Sequence, residues 1–442
     1  MLSRRAFVNG SIGAAVAAAQ SPELARPFPG ERPFQDPSVT VLNPSNRVPL
    51  SLIIDDSTCL VNLNKFSAPQ FNYVWQGRRQ PDPWETWPDE IPDDFVRKFI
   101  DWCGENDVKG KYSIVPYPAC VGRVDRILPG WPWEKLDASL KLVRERVTQN
   151  WDIHPEMVSH TWVINTKTGQ PYPERSLDYM ENWNWSVGRS ADEIADYMRY
   201  ALQILHNVDL PCEGLTTPGG FGSKARPQLA QGTFEACRDV FQAEIPHYFR
   251  DLFSEGEESV APRIFNAKGL KSDDPQCVVS IIGCTGDWTG GWNCSSRGSV
   301  DRFITADLTA GRMVDVIERG EPGCLVCHWT GIYFNGEEVG FKVFQEAVRR
   351  IHSRYGKRVQ WLKLSEIARY WAAKELTEIR REGKRVLLNA PFGTPNFTLR
   401  VPAGSGDVRV AHGGSRLTVT KLAAERDAIS FDLPKGRTVI EL

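Results

Sequence analysis

Residues Leu50-Ser51-Leu52-Ile53-Ile54-Asp55-Asp56-Ser57-Thr58-Cys59 decide the reading of the fold. The apolar run predicts a short buried strand, and two adjacent carboxylates stand at its C-terminal end. In barrels and open α/β sheets, chemistry collects at that end of a strand. Successive side chains on a strand point to opposite faces. Asp55 and Asp56 can therefore serve one site only if the strand gives way to a loop there. The plainer reading of such a pair is a helix N-cap or a turn, where Asp is common.

The same texture recurs along the chain. Stretches 111–116, 153–161 and the residues ending at Leu215 predict strands or strand ends, and 277–282, 324–328 and 359–362 are further apolar runs. Helical spacing recurs between them. It is carried by Phe95, Phe99 and Trp102 behind Asp93 and Asp94, and by Leu136, Leu140, Val143 and Val147. Ile194, Tyr197, Ala201 and Leu205 follow the capping box Ser190-Ala191-Asp192-Glu193. Stretches near 226–240, 338–354 and 366–379 read as helices too. The segment after the Asp pair, with Trp75, Trp84 and Trp87 among prolines, reads as a long irregular binding lid. Chain beyond 241 reads as less regular until 277. Alternating strands and helices imply βαβ units and a parallel sheet. The expected fold is α/β, a distorted seven-stranded (β/α) barrel over 49–382. Short β-like runs at 385–388, 397–401, 417–419 and 438–440 predict a small all-β domain over 383–442. The Pro-rich stretch 21–48 reads as an extended arm.

Composition narrows the class. A chain of 442 residues with 41% hydrophobic and 24% charged residues is ordinary for a globular protein. A formal net charge of -2 argues against nucleic acid as a partner, which would call for a clustered basic excess. Fifteen Trp suit a carbohydrate groove as well as a core. Ser3-Arg4-Arg5 before an Ala-rich run at 11–19 matches a twin-arginine export signal over 1–20, hence a periplasmic or secreted protein. No segment has the length of a membrane span. Ten Cys show no disulfide framework in their spacing, and most read as buried free thiols.

Five strand ends deliver a polar group or a tight turn: Asp55-Asp56, His160, Pro218-Gly219-Gly220, Asp287-Trp288 and His328. In a parallel barrel these ends open on one face, where carboxylates and imidazoles suit a divalent metal with an open position. Taken singly, a buried His is more often a satisfied core residue and an Asp after a strand more often a cap. Five in register point to a site.

The order of these motifs resembles the polysaccharide deacetylases of the glycoside hydrolase/deacetylase barrel superfamily, from about residue 48 to 380. The resemblance implies Asp55 as general base and Asp56 as metal ligand. It implies His160-Thr161 as the start of a His-[Ser/Thr]-x-x-His metal motif, and His328 as general acid. Thr216-Thr217-Pro218-Gly219-Gly220 keeps the Pro and Gly of the third motif, and Asp287-Trp288 the second half of the fourth. Three positions depart: Ile164 where the second metal His is expected, Thr216 for an Arg and Cys284 for an Asp. The third ligand is then expected from His154, with Asn165 as the alternative. Without either, the site is metal-free or weakly loaded.

The implied activity is a deacetylase, hydrolysing N- or O-acyl groups of an extracytoplasmic carbohydrate with zinc, or with cobalt or nickel. Asp55 would take a proton from water, His328 would protonate the leaving group and Asp287 would orient His328. Pro218, Gly219, Gly220, Trp288 and Trp329 are the expected substrate contacts. Two other readings stand beside it: a metal-independent amidase of small C–N substrates, and a non-catalytic carbohydrate-binding protein.

Overall fold

The computed structural model describes residues 29–75, 84–401, 408–422 and 427–442, so the twin-arginine segment lies outside the described residues. Strand Val48–Asp55 is buried over its whole length. It pairs in parallel with Gly323–His328 and with Gly110–Ser113, and the latter pairs in parallel with Trp151–His154. Val359–Trp361 joins in parallel at Val48-Pro49-Leu50. A strand covered on both faces needs a near-continuous apolar run, which is what 48–54 supplies.

A second sheet runs Gly214–Thr216, His247–Leu252, Gln276–Gly283, all parallel, with Arg263–Lys268 antiparallel at its edge. Two seams join the sheets. One is a parallel bridge between Glu156 and Thr216. At the other, Cys284 N donates to Cys324 O at 2.8 Å. The fold is mixed α/β with parallel strands.

Two cores meet across the central strand. Leu50, Leu52 and Ile54 belong to one, together with Phe95, Phe99 and Cys103 of helix Asp93–Glu105. Ile53 points the other way and joins Phe249, Val279, Ile281, Val326 and helix Leu364–Leu376. Full burial of such side chains stabilises by roughly 1.5–3 kcal/mol each relative to exposure. A C-terminal β-rich region follows. It contains two antiparallel sheets, one built on Thr394–Arg400 and Ala428–Leu433, the other on Arg385–Ala390 and Gly436–Glu441. Val386, Leu388, Phe397 and Phe431 of these sheets share the core of Ile53. From the arm, Thr40–Val41 pairs antiparallel with Thr394–Arg400.

Several local expectations are corrected. The segment after the Asp pair begins with helix Leu63–Val74, whose buried face carries Asn64 and Ser67 beside Leu63, Ala68 and Phe71. Polar residues on the inner face hide the apolar periodicity. The stretch beyond 241 contains two strands, His247–Leu252 and Arg263–Lys268. The first carries His247, Arg250 and Asp251 and so has no apolar run to read. Residues 417–419 are not a strand; they link the two-residue edge pieces Ser415–Arg416 and Thr420–Lys421. The helix expected over 366–379 ends at Leu376, and Glu378–Glu382 is already a strand of the C-terminal region. All ten cysteines are free, with only Cys120 and Cys294 partly exposed.

Candidate functional site

The central strand ends at Asp55, and Asp56 lies in the left-handed region at φ 61°. That conformation is uncommon for a residue with a Cβ and marks sites where backbone strain is held by the surroundings. It breaks the alternation of the strand. Asp56 Oδ1 comes within 2.8 Å of His160 Nε2, which is itself 3.3 Å from Glu156 Oε1. His160 also sits at positive φ, 64°. Asp56, Glu156 and His160 thus form a buried cluster whose donor atoms lie within 4.8 Å of one another.

The contact between Asp56 and His160 is close, yet buried Asp56 Oδ1 accepts no hydrogen bond among the described residues. His160 Nδ1 is likewise buried without a partner. Asp56 Oδ1 thus lies close to an imidazole nitrogen while accepting no well-aligned hydrogen bond, an arrangement that suits an ion pair with His160 and equally suits groups gathered round a cation. The donor set fits a divalent metal. Burial alone would raise Asp56 and Glu156, but His160 outweighs it and both carboxyls lie below their ordinary values. For His160 burial works downward, and Asp56 and Glu156 hold it well above the usual imidazole range.

A second layer fixes these groups. Asn64 Nδ2 donates to Asp56 Oδ2 at 2.9 Å and to Thr330 Oγ1 at 3.0 Å. Glu156 Oε2 accepts from Asp56 N at 2.8 Å and from Ser113 Oγ at 3.1 Å. Glu181 receives the backbone N–H groups of Val158, Ser159 and His160 and the Tyr197 hydroxyl. It thereby clamps the turn that carries His160 at positive φ. Burial pushes the Glu181 carboxyl up to about 7 despite those donors.

Asp55 faces a different partner. Lys111, fully buried, donates to Asp55 Oδ1 at 2.5 Å, Ser113 Oγ at 2.7 Å and Ile54 O at 2.9 Å. Burial pushes the Asp55 carboxyl up to about 6 against the pull of Lys111. His328 is the register partner of Asp55 on the neighbouring strand. Its Nδ1 lies 2.7 Å from Asp287 Oδ2, and Asp287 Oδ1 accepts from Thr289 N and Oγ1 at 3.0 and 2.7 Å. Burial would lower the His328 imidazole, but Asp56, Asp287 and Asp55 together raise it to about 10.

The expected residues are therefore not all brought together. His154 is not beside Asp56. Its Nε2 meets His247 Nε2 at 3.0 Å, and Gly214 leaves room for both rings. Asn165 lies in a two-stranded hairpin with Gln170 and takes its own turn through Lys167 N. Glu156 stands where a third ligand was expected. The spacing of four residues foreseen between His160 and Ile164 exists instead between Glu156 and His160, and Ile164 is core. Trp329 is buried among Phe95, Phe99 and Tyr112 and offers no ring to a substrate. Trp288 is buried against Phe303, 5.0 Å between ring centroids, with Arg302 above it. Gly219 and Gly220 pack on Asn182 and Trp183, where a Cβ would strike Asn182 O.

Sequence reasoning missed Glu156, Lys111, Asn64 and Glu181. Glu156 and His160 carried a readable signal, their four-residue spacing. Lys111 and Ser113, two apart on one strand, share a face, but nothing local says that this face is the site. An aromatic wall stands beside His160. Phe71 lies 6.3 Å from its ring and 5.7 Å from Trp292, and Trp75 meets Trp183 at 4.8 Å.

No family model and no curated protein matches the chain. Among solved structures it is similar to a glycoside hydrolase family 30 subfamily 8 xylanase from Clostridium acetobutylicum. That match has 9% identity, covers 93% of this chain and 98% of that one, and has a TM-score of 0.27. A likeness so distant bears on neither fold nor activity. Among the described residues no helix is long and apolar enough to cross a membrane.

Proposed function

We propose that this protein is a hydrolase that removes acyl groups from a carbohydrate, using a divalent cation held by Asp56, Glu156 and His160. The observation that carries the reading is the buried convergence of Asp56 Oδ1, Glu156 Oε1 and His160 Nε2 without a hydrogen bond to Asp56 Oδ1. When bound, the cation supplies Lewis acidity at the substrate carbonyl and at the attacking water.

The remaining steps belong to the chain. Asp55, with its carboxyl near 6, is ionised at neutral pH and basic enough to take a proton from water. Lys111 fixes its orientation. His328, protonated at neutral pH, delivers a proton to the departing amine or alcohol. Asp287 holds Nδ1 of that ring, leaving Nε2 as the acid. The partly exposed rings of Trp75, Trp183 and Trp292, backed by the buried Phe71, suit the apolar face of a sugar ring.

Glu156 beside Asp56 and His160 favours the metal-dependent reading over the metal-independent amidase that the Ile164 departure suggested. The parallel strands of the two sheets are best taken as arcs of one distorted barrel, supported by the Glu156–Thr216 bridge and the Cys284–Cys324 hydrogen bond. Export through the twin-arginine route rests on residues 1–20 alone.

The test is acetate release from N- and O-acetylated oligosaccharides by the metal-loaded chain. Asp55→Asn and His328→Ala should each lower kcat by about 10²–10⁴-fold. Failure of the loaded protein on both substrate classes, or full rates in both variants, would overturn the reading.

A further inference from the structure

We propose that Asp56, Glu156 and His160 form a site for a six-coordinate, oxygen-preferring divalent cation of the manganese class rather than for tetrahedral zinc. This rests on the metal site proposed above and names the cation it selects. Three observations carry it.

The first is donor chemistry. Two carboxylates and one imidazole make a harder, more anionic set than a site with two imidazoles, and carboxylate oxygens suit manganese and magnesium while imidazole suits zinc.

The second is that each carboxylate has one free oxygen. Asp56 Oδ2 is taken by Asn64, and Glu156 Oε2 by Asp56 N and Ser113 Oγ. Glu156 Oε2, with both lone pairs engaged, is held to binding through Oε1 alone, and the Asn64 bond turns Asp56 Oδ2 away in favour of Oδ1. Three single-atom donors then leave three places of an octahedral shell for water and substrate.

The third is spacing. Ligands about 2.1 Å from an octahedral ion are about 3.0 Å apart along each edge. Around tetrahedral zinc the edge is about 3.3–3.4 Å. His160 Nε2 is 2.8 Å from Asp56 Oδ1 and 3.3 Å from Glu156 Oε1. The shorter distance falls on the octahedral side and the longer at the tetrahedral edge, and their mean, about 3.05 Å, lies nearer the octahedral edge. Lys111, joined to Glu156 through Ser113, offsets the extra negative charge from behind and keeps the set compact.

The experiment uses the full chain stripped with a chelator. Manganese and zinc are titrated in competition, and cobalt is loaded separately for its visible spectrum. One manganese per chain and the weak cobalt bands of a six-coordinate ion are expected. Glu156→His should raise the zinc-over-manganese affinity ratio by roughly tenfold or more. Intense tetrahedral cobalt bands in the wild type, or an unchanged ratio in Glu156→His, would overturn the cation class and leave the metal site standing. Binding of none of the three ions by the wild type would remove the metal reading itself, and this inference with it. If Glu156→His does not fold, the wild-type cobalt spectrum decides alone.

Discussion

Lys111→Met should be among the costliest single substitutions in the molecule. The ammonium is fully buried and gives all three of its protons away: to Asp55 Oδ1 at 2.5 Å, Ser113 Oγ at 2.7 Å and Ile54 O at 2.9 Å. Methionine fills nearly the same volume but donates nothing. Each of the three bonds has a charged donor, a class that contributes about 1.5–3 kcal/mol for a single bond, and contributions within one network are not additive. The loss should therefore be about 3–5 kcal/mol, the range for removing one partner of a buried pair.

The pH dependence follows from Asp55. Its folded carboxyl, raised to about 6, lies above an unfolded value of roughly 4. Such a group favours the fold at acid pH, and the contribution is lost as pH rises from about 4 through 6. Without Lys111 the carboxyl rises further and the window extends upward. The substitution should thus cost least near pH 5 and most above pH 8. Urea unfolding of wild type, Lys111→Met and Lys111→Met/Asp55→Asn at both pH values measures this. The double variant should recover much of the loss, because no charge is left unpaired. A single-variant cost below about 1 kcal/mol, or a double variant no better than the single, would refute the account.

Three further outcomes are expected. Asp287→Asn removes a carboxylate 2.7 Å from the His328 ring, so its imidazole should titrate below the wild-type value of about 10; histidine NMR reads the shift, and an unchanged midpoint would exclude Asp287 as the holding charge. Glu181→Ala frees the N–H groups of 158–160, and loss of such an outer partner should weaken cation binding by about 10–100-fold, measured by calorimetry, with little effect if the turn holds itself. Gly214→Ala would set a Cβ 2.5 Å from His154 Nε2 and 2.7 Å from His247, and overpacking of this kind costs about 1–3 kcal/mol, visible as a lower denaturant midpoint.

Much of the frame was legible because it rests on local pattern. The apolar run before Asp55 and the one before His328 predicted strands, and those strands are register neighbours. The Ser190–Glu193 capping box forms as its spacing requires. Elements with polar inner faces were not legible. Helix Leu63–Val74 buries Asn64 and Ser67, and strand His247–Leu252 buries His247 and Asp251; each satisfies those groups by hydrogen bonds or ion pairs, so hydrophobic periodicity is silent there.

By itself the sequence determined that Asp55, Asp56, Asp287 and His328 stand at or just beyond strand ends, since adjacency to a buried run is a property of the chain. Only the tertiary structure decided which groups complete the site. Glu156 reaches Asp56 because the turn 156–160 folds back under the grip of Glu181, with His160 at positive φ. Lys111 reaches Asp55 because two strands separated by helices Leu63–Val74 and Asp93–Glu105 lie in one parallel register. Convergence of distant side chains depends on register and turn geometry, and these are fixed by packing over the whole fold rather than by any local stretch.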